Sequence, residues 1–300
     1  MIKIMKLSKY KAIERLVVDL DTENIELKKF NKKLEDEIKR LEKSKQYDVD
    51  IIDGEHKFVQ EQKANHRYIY DRVIDRIYYF FLRLGIFIFA PFVLFFTYRL
   101  KIRGRKNLKR PKNQGATIIS NHSMLLDSLS IKQTVFKKVY FIGASFNNKK
   151  GFGGYTIKIL GMLPLSNQFS NQKNLDNAIE YYLKKGKPIH IAPEQAMWRG
   201  YTKLRPFKNG AFYYAVKNNV PVIPMVELLK PANRWDRIWG RRFRATIQVL
   251  KPLYPNLDLP TKERIQDLKV RSRESMRQVM NEFYNTECDV EVLDKLDNKN

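Results

Sequence analysis

Three hundred residues suffice for one sizeable α/β domain with extra elements. Fifty-seven Lys and Arg against 32 Asp and Glu leave a formal net charge of +25, which calls for an anionic partner such as nucleic acid, a membrane face or an acidic substrate. The single Cys288 excludes an internal disulfide and a cysteine-based metal cluster, and His56, His66, His122 and His190 show no metal-ligand spacing.

Ile13, Leu20, Leu27, Leu34 and Leu41 recur every seven residues, with Val17, Asn24, Asn31 and Ile38 at the second core position. This pattern predicts a coiled-coil helix over 1–46 and a homodimer through residues 11–44, its Asn residues fixing the register. An amphipathic helix packed on its own domain or lying on a membrane is the other reading of the same seam. Residues 47–76 are polar and read as a linker or irregular helix.

The run Ile77 to Tyr98 carries Arg83 as its only charge. Its uncharged core, Leu84–Thr97, falls short of the roughly 20 residues of a simple span. Pro91 disfavours a straight helix, and aromatics at both ends suit an interface. A monotopic or re-entrant anchor is expected ahead of a full span, with a buried core helix as the plain alternative. Arg99, Lys101, Arg103, Arg105, Lys106, Lys109, Arg110 and Lys112 follow without an acid among them. Each attracts an anionic leaflet by about 1 kcal/mol, and the positive-inside rule makes this end cytoplasmic. Residues 77–112 thus read as a membrane anchor with a basic flank. An anionic membrane surface is the expected partner. No nucleic-acid module is recognisable, so none is expected to bind.

From 113 to 300, strand-like segments (116–120, 139–143, 188–192, 220–226, 243–250) interleave with helix-like ones (125–136, 155–161, 174–185, 210–218, 262–284). This predicts an α/β fold with a mostly parallel sheet flanked by helices. His122 and Asp127 stand at H-x4-D spacing just after the first of these strands, where α/β folds hold ligands. A carboxylate one helical turn on orients an imidazole and makes it a competent general base for a hydroxyl. His66 and Asp71 share the spacing but not the strand context. Ser123 reads as a helix N-cap rather than a nucleophile. Gly151-Phe152-Gly153-Gly154 lacks the ending of a phosphate loop and is expected to supply backbone freedom near the active face.

Three further motifs follow: Pro193-Glu194-Gln195, Pro206-Phe207-Lys208-Asn209-Gly210-Ala211-Phe212 and Val220-Pro221-Val222-Ile223-Pro224. With Asn121-His122-x4-Asp127, their order over about Arg103 to Pro252 resembles the glycerolipid acyltransferase family, typified by 1-acylglycerol-3-phosphate acyltransferase. The resemblance implies a membrane-associated O-acyltransferase that moves an acyl group from a thioester to a hydroxyl of a lysolipid-type acceptor. His122 is the expected base, Asp127 its orienting carboxylate and Glu194 an acceptor-placing group, unless Glu194 merely caps its turn. No cofactor is implied beyond acyl-CoA or acyl carrier protein as donor substrate. Lys208, with Gly210 opening a helix, is the first candidate for holding a phosphate; Arg199 and Arg205 are further candidates for substrate binding. Met197 and Trp198 line a pocket or simply pack.

The chain departs from the family in two places. Gln195-Ala196-Met197-Trp198 replaces the usual Gly-Thr after the Glu. The position usually held by a phosphate-binding Arg falls on Asn167. Either another cation, Lys208 first, has taken over, or the acceptor carries no phosphate there. A non-catalytic lipid-binding membrane scaffold, whose coiled coil recruits partners, is the alternative reading. The expected location is the cell membrane, with the catalytic domain on its cytoplasmic face.

Overall fold

The computed structural model describes residues 25–51, 66–111, 113–145, 151–166, 168–238 and 241–297. Helix α1 (Ile25–Lys43) precedes the long apolar helix α2 (Val73–Tyr98). Then come β1 (Lys101–Arg103), β2 (Ala116–Ser120), α3 (Asp127–Val135), β3 (Tyr140–Gly143), α4 (Gly151–Ile159) and β4 (Met162–Pro164). The chain continues with α5 (Phe169–Lys184), β5 (Pro188–His190), α6 (Gly210–Lys217), β6 (Val222–Pro231) and the short α7 (Arg234–Ile238). It closes with β7 (Phe243–Val249), α8 (Thr261–Tyr284) and α9 (Val290–Asp297).

Seven strands form one sheet in the order β1-β7-β6-β2-β5-β3-β4. Every neighbouring pair is parallel except β6 and β7. β2 lies near the middle and is buried throughout, which its apolar, β-branched run dictates for a strand covered on both faces. Alternation sends Ile118 and Ile119 to opposite faces. Ile119, Val222 and Val226 pack with Leu175 and Ile179 of α5, Phe212 of α6 and Met276 of α8. Ile118, Ile223 and Met225 pack with Ile131 of α3 and with Ala90, Leu94 and Tyr98 of α2. Gly115 admits β2 hard against the end of α5: a Cβ there would lie 2.5 Å from the Leu183 carbonyl oxygen.

Helix α2 is long and apolar enough to cross a membrane by length and composition, with mean hydropathy 2.2 in its most apolar stretch. It runs through Pro91, and one stripe of it is core. Ala90, Leu94, Thr97 and Tyr98 are buried, whereas Phe81, Ile88 and Phe92 on the opposite stripe are exposed. The core-helix reading therefore describes one face of α2, and the opposite face is apolar and exposed. Arg83 turns toward the domain, where its Nη2 donates to the Phe136 carbonyl at 2.7 Å.

Three sequence expectations change. β1 falls within the stretch read as a basic flank and pairs with β7, so the sheet begins before residue 113. Tyr68 and Tyr70, from the stretch read as a polar linker, are buried. Tyr68 Oη donates to the Pro164 carbonyl, and the Tyr70 amide to Tyr182 Oη, each at 3.0 Å. Leu41 of the heptad seam is fully buried inside the chain, with Tyr47, Ala196, Trp198, Tyr201 and Val290; Ile38 packs on the same cluster. Ile13, Val17, Leu20 and Asn24 lie outside the described residues.

Candidate active site

The loop after β2 is fixed by its own sequence. Asn121 continues the β2–β6 pairing beyond the strand end with its side chain. Its Nδ2 donates to the Glu227 carbonyl at 3.0 Å, and its Oδ1 accepts from the Glu227 amide at 2.7 Å. The His122 backbone is gripped from both sides. Its amide donates to Glu194 Oε2 at 3.1 Å, and its carbonyl accepts from the Trp198 amide at 3.1 Å. The imidazole Nδ1 meets the carboxylate of Asp127, the first residue of α3. That contact leaves Nε2 as the ring nitrogen available to a substrate.

The His122 side chain keeps 23% of its surface open. The protein around it would push the imidazole pKa down, but the Asp127 carboxylate and its hydrogen bond outweigh that and hold it above the ordinary value. Burial would raise the pKa of Asp127; the facing His122 wins and lowers it. Both shifts favour an ion pair between the two groups.

A groove of about 580 Å³ opens over this pair. His122 and His190 line it together with Leu125, Phe141, Met162 and Leu165, which give it an apolar side. Asp48, Asp50, Lys208 and Gly210 give it a polar side. Its volume lies in the usual range of small-molecule sites, about 300–1,000 Å³.

The family model for acyltransferases matches residues 99–227, which include His122, Asp127, Glu194 and Lys208. Residues 99–227 thus carry the pattern of the acyltransferase family. The chain is similar to a 1-acyl-sn-glycerol-3-phosphate acyltransferase of Chlamydomonas reinhardtii, 31% identical over 175 residues, or 56% of this chain and 49% of the relative. It is also similar to a chloroplastic 1-acyl-sn-glycerol-3-phosphate acyltransferase of Brassica napus, 26% identical over 166 residues, or 52% of this chain and 44% of the relative. The chain spans about half the length of the curated relatives it matches. The crystal structure of the 1-acyl-sn-glycerophosphate (LPA) acyltransferase PlsC from Thermotoga maritima superposes with a TM-score of 0.49 at 20% identity, covering 67% of this chain and 80% of that one.

Within the acyltransferase segment the remaining expected residues take definite places. Glu194 is buried, and of His122 it holds the backbone amide. Arg205, expected to bind substrate, is also buried; its Nη2 bonds Glu194 Oε2 at 2.7 Å and the Ala196 carbonyl at 2.6 Å. The pair braces the Pro193–Trp198 turn, and Arg205 is not on the groove wall. Removing one partner of such a buried pair leaves the other charge uncompensated. Arg199 is half-buried and does not line the groove. Lys208 and Gly210 do line it, and Lys208 Nζ bonds Asp48 Oδ2 at 2.9 Å. Trp198 is fully buried, whereas Met197 reaches the groove. Asn167 lies outside the described residues.

Ser123 is not a helix N-cap, because α3 starts only at Asp127. Its amide and Oγ both donate to Glu227 Oε2, at 3.3 and 3.1 Å. Gly151–Gly154 form the first turn of α4 rather than a loop. His66 stands edge-on to Tyr68, and Asp71 accepts from Tyr181 Oη, so the second H-x4-D spacing builds no such pair.

Two buried groups escape the motif reading. Glu227 sits on β6 beneath the His122 loop; burial, and then the nearby Asp127 charge, hold its pKa well above the carboxylate range. His190 ends β5, with Nε2 2.9 Å from Ser120 Oγ, and burial pushes its pKa down to about 4. Both shifts favour the neutral form, so Asp127 remains the charged partner of His122. A lone Glu in the apolar run 220–229 was the available signal for the first. A lone His in the run 188–192 was the signal for the second.

Proposed function

We propose that this protein is a membrane-associated O-acyltransferase. It transfers an acyl group from acyl-CoA or acyl carrier protein to a hydroxyl of a lysophospholipid or related glycerolipid. The observation that carries this reading is the His122–Asp127 pair at the carboxyl end of β2, open to a groove with one apolar and one polar side. His122 Nε2 takes the acceptor hydroxyl proton as its oxygen attacks the thioester carbonyl. The tetrahedral intermediate collapses, the carbon–sulfur bond breaks, and the departing thiolate takes the proton back from the imidazolium. Asp127 holds the tautomer and stabilises the charged ring. The side formed by Leu125, Phe141, Met162 and Leu165 suits an acyl chain.

Helix α2 supports the membrane association. Its inner stripe packs on the sheet, so the helix runs along the domain, and its outer stripe of Phe81, Ile88 and Phe92 faces outward. That arrangement supports an anchor lying in the interface, with the basic residues after it on an anionic, cytoplasmic leaflet. Pairing of two copies would use the heptad seam ahead of Ile38 and Leu41, since those two pack within the chain.

The test is product formation. Full-length protein on anionic vesicles, given a lysolipid and either acyl donor, should yield the diacylated lipid by mass spectrometry. No product from either donor with phosphorylated or uncharged acceptors would leave the lipid-binding scaffold.

A further inference from the structure

The segment just after α1 lies outside the matched acyltransferase residues, yet it forms one wall of the groove. It is fastened at many points. Leu41 and Tyr47 pack with Trp198. Trp198 Nε1 donates to the Val49 carbonyl at 2.9 Å, Arg205 Nη1 to the Tyr47 carbonyl at 3.2 Å and the Met197 amide to Asp50 Oδ1 at 3.2 Å. Glu42 accepts from Tyr201 Oη and pairs with Lys203. Asp48 and Asp50 are thereby held at the groove by a docked strap.

The charges then decide. Among the described residues lining the groove, Lys208 is the one Lys or Arg, against Asp48, Asp50 and Asp127. Asp127 is matched by His122 and Asp48 by Lys208. Asp50 has a backbone amide but no described cation. A phosphomonoester headgroup would have to displace Asp48 from Lys208 and then sit beside two carboxylates. Juxtaposed like charges disfavour such a headgroup, and most so at low salt, because Asp48 and Lys208 are each about half exposed. Hydroxyl groups meet no such penalty. They donate to the carboxylates and accept from the ammonium, whereas an ammonium headgroup would meet Lys208.

Resting on the acyltransferase reading, we propose that residues 38–51 complete the acceptor end of the groove. Asp48 and Asp50 there select a lysolipid with an uncharged, hydroxyl-bearing headgroup over one with a phosphomonoester.

The experiment compares kcat/KM of the full-length protein for two acceptors with the same acyl-CoA donor at low salt. One is a 1-acylglycerol 3-phosphate, and the other a monoacylated glycosylglycerol. The wild type should favour the uncharged acceptor by at least about tenfold, the size of one unbalanced charge contact. Asp50→Asn keeps an oxygen for the Met197 amide and should move the ratio toward the phosphate about tenfold, mainly through KM. Asp48→Asn should act in the same direction, and Lys208→Ala in the opposite one. Wild-type preference for the phosphorylated acceptor overturns the proposal, even if the Asp variants fail to fold. So does an unchanged ratio in folded variants. Transfer to neither acceptor by the wild type would instead defeat the acyltransferase reading itself.

Discussion

Replacing His122 with Ala is expected to lower acyl transfer about 10²–10⁴-fold, the usual worth of a positioned general base. The fold should survive. The loop is held through the His122 amide and carbonyl and through Asn121, and alanine keeps all of these contacts. The imidazole is partly open to the groove and fills no core position. His66→Ala is the matched control. It has the same sequence spacing to an Asp, but Asp71 is engaged by Tyr181, and activity should change little. Steady-state transfer by both variants, with thermal melts to confirm folding, checks the result. Equal losses in the two would remove His122 from its role.

The outer stripe of α2 should carry most of the membrane affinity. Phe81, Ile88 and Phe92 are 62%, 47% and 62% exposed and lie on the side of the helix opposite Ala90. Burying a large apolar side chain contributes about 1.5–3 kcal/mol. Changing all three to Ser should therefore weaken binding to anionic vesicles by at least about 10³-fold. These side chains leave the core untouched, so the melting temperature should barely move. Wild-type binding should also weaken as salt rises, because the basic residues after α2 act over a Debye length of about 8 Å at physiological ionic strength. Cosedimentation with vesicles measures both effects. Unchanged, salt-insensitive retention of the triple variant would mean that α2 spans the bilayer.

The central elements were legible because their residues are unambiguous. The β-branched run 116–120, the apolar runs at 188–192 and 220–226, and the long 3.6-residue pattern at 262–284 each have one physical solution. β1 and β4 were not legible. Three residues give no periodicity, and the partner of β1, Thr246–Gln248, is far along the chain. The heptad at Leu34, Ile38 and Leu41 announces an apolar stripe but not what covers it, and Trp198 of the same chain covers its end. At the site, the His122–Asp127 spacing with its strand context and downstream motifs announced the contact between the two side chains. The pairing of Arg205 with Glu194 did not show, because a basic residue in so basic a chain carries no signal of burial. Asp48 and Asp50 were equally hidden: they sit in a polar stretch, and only the docking of Leu41 and Tyr47 brings them to the groove.

The pH dependence of kcat/KM in the wild type and in Asp127→Asn tests the account most directly. His122 works as a base only when neutral, and Asp127 holds its pKa above the ordinary value of about 6.5. Wild-type activity should therefore rise with pH through an inflection above 6.5. Without the carboxylate, burial dominates and favours the neutral ring. The inflection in Asp127→Asn should then move to lower pH, while the plateau falls because the ring has lost its orienting partner. A wild-type inflection below 6.5, or one that stays in place when Asp127 is replaced, would contradict a His122 base tuned by Asp127.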